Sequence, residues 1–265
     1  MRNPIVTLLT DFGTKDYFVA SMKGVILNIN PRCCLIDISH DVFPQDIREG
    51  AFILANAFSY FPKGTIHLAV VDPGVGSERK PILIETKNYF FLGPDNGLLT
   101  LATKQDEVRR VIKLTNKKYF LPYISSTFHG RDIFSPVAGY LSLGLRPETF
   151  GEEIKDWVKL DYKEPNIKGD KLFGEIIHID HFGNLITNIN RERFIYFTKS
   201  YNFNIKIKGK KVSGIKSGYW EGEKGEIIAL FGSCGMLELS IKNESAQNKL
   251  KVKIGDPIIV ERDIL

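Results

Sequence analysis

The feature that most restricts the architecture open to this chain is a hydrophobic period that changes back and forth along its first 72 residues. Ile5 to Leu9 is an apolar run of strand length. From Asp16 onward Val19, Met22, Ile26 and Ile29 recur three or four apart, which is one face of a helix, and Asn30-Pro31 stops it because the residue before a proline is pushed out of the α region. "CLIDIS" is strand again. Ile47, Ala51, Leu54, Phe58 and Phe61 line a second helix closed by Pro62 and Gly64, and a third strand runs into "LAVVDPGVGSERK", from Leu68 to Lys80. This β-α-β-α-β order predicts parallel strands in one sheet, with ligands gathering where the carboxyl ends of those strands meet loops.

A strand pair around Ile82–Glu85 and Tyr89–Leu92, a short helix after Gly97 and another after Gly130 complete this half. Beyond Phe150 the texture changes. "GEEIKDWVKLDYKEPNIKGDK" is charged and broken by Pro165 and Gly169, as a linker is, and the short β-rich runs "KLFGEIIHID", "YNFNIKIKG", "EIIALFG" and "MLELSI" follow between glycine and asparagine turns. The expected organisation is an α/β domain with a mainly parallel sheet over residues 1–153, a linker over 154–170, and a smaller, mainly antiparallel β domain over 171–265.

Composition excludes several classes. With 43% hydrophobic and 25% charged residues in 265, the chain can bury a core without metals or disulfides. The net charge of +5 comes from lysines and arginines spread along the chain, which reads as a solvated surface and not as a nucleic-acid footprint. Cys33, Cys34 and Cys234 allow neither a disulfide framework nor a paired CxxC zinc site. "MRNPIVTLLTDFGTKD" is interrupted by Asp11 too soon for a signal peptide, and no apolar run is of membrane-spanning length, so a cytoplasmic protein that does not engage membranes is expected.

Three acids, Asp11, Asp37 and Asp72, fall at or near predicted strand ends. An aspartate opening a loop is commonly a cap. These keep unusual company: "TDFG" sets a carboxylate beside a glycine that admits close approach, and "VDPGVGSER" adds Arg79. A carboxylate with two oxygens suits the vicinal hydroxyls of a ribose. Neither GxxxxGK[ST] nor GxGxxG occurs here, so a nucleoside without a phosphate cradle fits better than a nucleotide. "TFHGRDIFSP" supplies His129, which serves either as a helix-start cap or as a proton-transfer group. In "HIDHFGNLITNI", His178 and Asp180 share a strand face while His181 points away, and no third ligand is near in sequence, so no metal site is assigned.

Seven stretches in this order, "LLTDFGTKDYFVASMKGVI", "IDISHDV", "VVDPGVGSERKPI", "FLGPDNGLLT", "TFHGRDIFSP", "IDHFGNLITNI" and "FGSCGMLELSI", are spread from Leu8 to Ile241, nearly the whole chain. Together they resemble the S-adenosylmethionine hydroxide adenosyltransferases, relatives of fluorinating and chlorinating enzymes that use the same substrate. The resemblance implies an N-terminal α/β domain and a C-terminal β-barrel-like domain. It also implies homotrimers whose sites lie between one subunit's first domain and a neighbour's second. Halogenating relatives carry a tyrosine and a threonine in the loop where this chain has Asp72 and Val75, together with an extra halide-site loop of which the first domain shows no trace. The hydrolytic branch is marked by an Asp-Arg-His set, matched by Asp72, Arg79 and His129.

By the same resemblance Asp11 binds the ribose diol, Asp16, Asp180 and Ser233 lie near the methionyl amine and carboxylate, and Phe182 and Asn184 hold the adenine. One departure is Cys234, which stands where a halogenating relative has arginine. The implied reaction is attack of water or hydroxide on ribose C5′ of S-adenosylmethionine, giving adenosine and methionine with no metal or other cofactor. Two rivals stand beside it. A nucleoside sensor would need Asp11 and Asn184 but would gain nothing from Asp72, Arg79 and His129, and a halide-using adenosyl transferase is opposed by Asp72.

Overall fold

The computed structural model describes residues 3–199 and 201–263. The chain divides into two compact units, Met1–Asp161 and Tyr162–Leu265. Among the described residues no helix is long and apolar enough to cross a membrane.

The first unit runs β1 (Ile5–Thr10), α1 (Phe18–Ile29), β2 (Cys34–Ser39), α2 (Ile47–Ala57), β3 (Ile66–Val70), β4 (Pro81–Thr86), β5 (Phe90–Pro94), α3 (Thr100–Thr103), β6 (Val108–Leu114), α4 (Ser135–Ser142) and β7 (Gly151–Glu153). They form one mixed sheet in the order β2-β1-β3-β5-β4-β6-β7. The first four strands in that order are parallel and the rest join antiparallel. Alternation sorts the side chains onto two faces. Val6, Leu8, Leu68 and Val70 meet Met22 and Ile26 of α1 and Val137 and Leu141 of α4, while Leu9, Ala69 and Val71 meet Leu54 of α2 and Ala102 of α3. Each large side chain buried in this way contributes about 1.5–3 kcal/mol. The result is three layers with the carboxyl ends of β1, β2 and β3 along one rim.

Local signals place these elements. Asp46 caps α2 by accepting the Glu49 N–H at 2.9 Å, and Glu49 Oε2 accepts the Phe43 N–H at 2.6 Å. The first bond satisfies an otherwise orphaned donor at the helix start, and the second ties the preceding turn to the helix. The charged opening of "VRRVIKL" hides β6 from a reading of hydrophobic period; Arg110 sits in that strand by pairing with Glu85 at 2.9 Å and Glu148 at 3.1 Å. The segment after β7 has no regular structure, yet it is tied to its own unit. Val158 N–H donates to Asp95 Oδ1 at 2.7 Å and Leu160 N–H to Thr100 Oγ1 at 2.9 Å.

The second unit contains β8 (Asn166–Lys168), β9 (Lys171–Ile179), β10 (Leu185–Asn190), α5 (Arg191–Thr198), β11 (Phe203–Ile207), β12 (Lys210–Ser213), β13 (Ile227–Phe231), β14 (Met236–Ile241), α6 (Ala246–Leu250) and β15 (Pro257–Arg262). Every pairing is antiparallel, in the order β12-β11-β15-β9-β10-β14-β13 with β8 on β9. The long β9 serves both halves: Lys171–Glu175 pairs with β15, and Ile176, His178 and Ile179 pair with β10. The sheet therefore curls into a nearly closed barrel around Leu172, Ile176, Leu185, Ile205, Leu237 and Val260.

Candidate active site

Beyond β3 the chain makes two tight turns. Val75 N–H donates to the Asp72 carbonyl at 3.2 Å, and Ser77 N–H and hydroxyl both donate to the Gly74 carbonyl, at 3.1 and 2.7 Å. These turns fold Arg79 back over Asp72. Arg79 Nε donates to Asp72 Oδ1 at 3.1 Å and Nη2 lies 2.6 Å from Oδ2, an ion pair whose side chains are only 9% and 4% exposed. Nη2 also donates to His129 Nδ1 at 2.7 Å. The remaining nitrogen, Nη1, is buried and has no hydrogen-bond partner among the described residues.

The loop carrying His129 is held by Asp132, which is fully buried. Asp132 Oδ2 accepts from the Ser125 N–H at 2.9 Å and the Ser125 hydroxyl at 2.8 Å, and Oδ1 accepts from Arg131 Nε at 2.6 Å. Burial alone would raise the Asp132 pKa, but these bonds outweigh it and hold the carboxyl below its ordinary value. The loop presses on the Asp72–Arg79 loop at Gly76, where φ is +77° and an added Cβ would stand 2.2 Å from the Ser126 carbonyl oxygen. Glycine is required there on both counts. The helix expected after Gly130 begins as a π turn over Gly130–Phe134 and only then continues as α4.

A guanidinium only donates, so Nδ1 of His129 must accept and the ring's proton sits on Nε2. Burial first, then the Arg79 charge, lowers the His129 pKa, opposed by Asp72 and Asp132. The neutral ring is therefore the favoured form, with its one lone pair spent on Arg79.

At the neighbouring strand end Asp11 follows β1, and its Oδ2 accepts the Gln45 N–H at 2.8 Å. Asp16 lies further along the same loop and is exposed. Asp37 sits inside β2, not at its end, paired with Lys23 at 2.6 Å and His40 at 3.0 Å.

In the second unit Asp180, Phe182 and Asn184 share the turn between β9 and β10. Asp180 Oδ1 accepts the N–H groups of Phe182 at 3.0 Å and Asn184 at 2.8 Å, and Oδ2 accepts from the Asn184 amide at 2.8 Å. Phe182 is 75% exposed and Asn184 only 8%. Gly183, at φ +82°, approaches Ser245 so closely that a Cβ would lie 2.1 Å from its hydroxyl oxygen. Ser233 is exposed on the turn between β13 and β14. Leu185 pairs with Leu239 and Asn190 with Met236, so the two turns cap opposite ends of the β10–β14 pair. Asp180 thus shares a turn with Phe182 and Asn184, and Ser233 lies on a different turn.

Three polar residues at these places were not singled out by sequence reasoning. Asp132 lies inside the same "HGRDIF" stretch as His129, and His40 inside "IDISHDV". Glu238 is an acid in the middle of the apolar run "MLELSI"; it is 5% exposed, and its Oε1 accepts from the Tyr219 and Ser240 hydroxyls, each at 2.7 Å. Among the described residues no group of three His, Cys, Asp or Glu is placed to share a metal ion.

Residues 6–151 match the family model for the SAM hydroxide adenosyltransferase N-terminal domain, and residues 174–259 match the model for its C-terminal domain. The chain belongs to the SAM hydroxide adenosyltransferase family. Within that family a Methanocaldococcus jannaschii protein named (R)-S-adenosyl-L-methionine hydrolase is 40% identical, over 96% of this chain and 94% of its own. One of the same name from Thermus thermophilus is 36% identical, over 96% and 98%. A crystal structure of an uncharacterized conserved protein from Thermotoga maritima superposes with a TM-score of 0.90 at 35% identity, covering 97% of this chain and all of that one. Proteins named fluorinase are more distant relatives.

Proposed function

We propose that this SAM hydroxide adenosyltransferase hydrolyses S-adenosyl-L-methionine, with water attacking ribose C5′. The C5′–O bond forms as the C5′–S bond breaks; its electron pair stays on sulfur, methionine leaves neutral at sulfur, and the water's proton goes to solvent. The products are adenosine, L-methionine and one proton.

The observation that carries this reading is the Asp72–Arg79–His129 cluster with its unfilled Nη1. A sulfonium is already an activated leaving group, so the chemistry asks for a nucleophile held in line behind C5′ and little else. A buried guanidinium with one nitrogen free of protein partners can hold water and favour its hydroxide character. Asp72 and His129 fix the plane of that guanidinium. Meeting of hydroxide and sulfonium cancels charge, which a dry site favours. Arg79 is not the base, because its pKa lies above ~12. In the tautomer that the Arg79 contact requires, His129 orients Arg79 and has no lone pair to spare for the water's proton.

Asp11 would take the ribose diol, Phe182 and Asn184 the adenine, and Asp16, Asp180 and Ser233 the methionyl end. These residues are spread over both units. The family resemblance supports a homotrimer in which neighbouring subunits each contribute part of a site.

The test is incubation of purified protein with S-adenosylmethionine in chloride-free buffer containing EDTA and ¹⁸O-water. Adenosine and methionine should appear in equal amounts with the label in the 5′-hydroxyl. Methylthioadenosine carrying no label, or product only when halide is added, would refute the reading.

A further inference from the structure

Beside Asp11 lies a line of polar side chains that the mechanism above leaves unused. Lys23 of α1 donates to Asp37 Oδ2 at 2.6 Å, and Asp37 Oδ1 faces His40 Nε2 at 3.0 Å. His40 Nδ1 is 2.8 Å from Thr10 Oγ1, which in turn accepts the Phe12 N–H at 3.3 Å. One arrangement of protons suits these contacts, with His40 Nε2 meeting Asp37 Oδ1 as a charge contact and not as an aligned hydrogen bond. A carboxylate oxygen does not face a bare lone pair, so Nε2 carries a proton. In the neutral ring with its proton on Nε2, Nδ1 is the acceptor, so Thr10 Oγ1 donates to it while accepting the Phe12 N–H. Asp37 is the anion this requires: burial raises its pKa, but the bonds from Lys23 and His40 more than offset that and leave it below its ordinary value. His40 is 5% exposed and Thr10 is fully buried, so each relies on the other for a partner.

The same segment grips the Asp11 turn twice more. The His40 carbonyl accepts the Gly13 N–H at 2.8 Å. Five residues on, Gln45 aims its N–H at Asp11 Oδ2 from a φ of +68°, a conformation that costs a non-glycine residue energy. Residues 10–13 are thus held at Thr10 by a side chain, at Asp11 by a strained amide and at Gly13 by a carbonyl, all reaching from residues 40–45.

We infer that His40 is a positioning residue for the nucleoside end of the substrate: wedged between Asp37 and Thr10, it fixes the Thr10–Gly13 turn that presents the Asp11 carboxylate. The inference rests on the reading of Asp11 as the ribose ligand. It assigns His40 no part in bond making, so its loss should weaken binding of substrate and product nucleoside alike and spare turnover.

The experiment measures KM and kcat for S-adenosylmethionine and Kd for adenosine in Thr10→Val, Thr10→Ser, His40→Ala and Asp11→Ala chains. Thr10→Val keeps the shape and removes the hydroxyl; KM and adenosine Kd should rise about tenfold with kcat changed less than about threefold. Thr10→Ser should restore both constants. The Thr10→Val and His40→Ala effects should fall well short of additive, since either breaks the same line. Should Thr10→Val fail to fold, Lys23→Gln at the partly exposed end must raise KM in the same direction. A lowered melting temperature with KM and Kd unchanged makes the line merely structural and overturns the inference. If Asp11→Ala weakens adenosine binding while Thr10→Val does not, this inference alone fails; if Asp11→Ala binds adenosine normally, the ribose reading falls and takes this inference with it.

Discussion

One nitrogen of Arg79, Nη2, stands 2.6 Å from an oxygen of Asp72 and 2.7 Å from Nδ1 of His129. A single guanidinium thus joins the end of β3 to the loop before α4, and its free corner is the one proposed to hold the attacking water.

Arg79→Lys should therefore be damaging although charge is kept. An ammonium is a point donor on a flexible stem; it cannot pair with Asp72, reach His129 and still offer a further N–H. We expect kcat to fall by about 10²–10³ with KM changed only a few-fold, read from steady-state adenosine formation. Full turnover in this variant would remove Arg79 from the chemistry.

The pH profile should carry the imprint of His129. Its pKa is lowered by burial and by Arg79, so the neutral ring persists below the ordinary histidine value of 6.5. An acid limb in kcat/KM that belongs to His129 should lie below pH 6.5. Between that folded pKa and 6.5 the unfolded chain binds more protons at this residue than the folded one, so stability rises with pH across the window. The contribution is complete above 6.5 and lost as pH falls through the folded pKa. An NMR titration of the ring gives the value directly, and a midpoint above 6.5 contradicts the assignment.

Gly76→Ala introduces a Cβ 2.2 Å from the Ser126 carbonyl oxygen at a positive φ. The two loops must separate, moving His129 away from Arg79. We expect a loss of stability on the order of 1–3 kcal/mol together with a fall in kcat larger than any rise in KM. Wild-type kinetics in a stably folded variant would show that the loop contact does not set the geometry.

Asp180→Ala removes the acceptor for three donors in the Phe182–Asn184 turn. Adenosine affinity should drop about tenfold and the second unit should lose on the order of 1–3 kcal/mol. Affinity for methionine should fall as well, since Asp180 is proposed at the methionyl end; adenosine binding left intact would show that Asp180 does not hold the adenine turn.

Mixing inactive Asp11→Ala chains with inactive Asn184→Ala chains tests the shared site. Subunit exchange in a trimer creates some interfaces with both residues intact, so part of the activity should return. Mixed trimers that form, with both mutants folded, and regain nothing would end the intersubunit proposal.

How much of this was legible in the sequence depends on the range of the interaction. Period changes placed β1, α1, β2, α2 and β3 because each element's burial pattern is written in consecutive residues. β6 was hidden by Arg109 and Arg110, since the partner that lets Arg110 sit in a strand, Glu85, is 25 residues away by subtraction of their numbers. Asp72, Arg79 and His129 could be named together only through resemblance. A run of residues says nothing of the Gly76–Ser126 approach that brings their two loops together. Asp37 looked like a third rim acid because strand ends are read less sharply than strands; its partners Lys23 and His40 show a supporting role instead.

The π turn at Gly130–Phe134 fixes the phase of everything downstream of His129. One residue in an α-helix corresponds to about 100° of rotation. Deleting a single residue there would convert the turn to plain α-helix and leave α4 two incompatible choices: keep Val137 and Leu141 in the core and swing His129 out of reach of Arg79, or keep His129 and rotate the apolar face away from the sheet. Any lineage that shortens this stretch by one residue must therefore give up either the placement of His129 or the packing of α4 on the sheet, so a single-residue gap here reaches further than its length suggests.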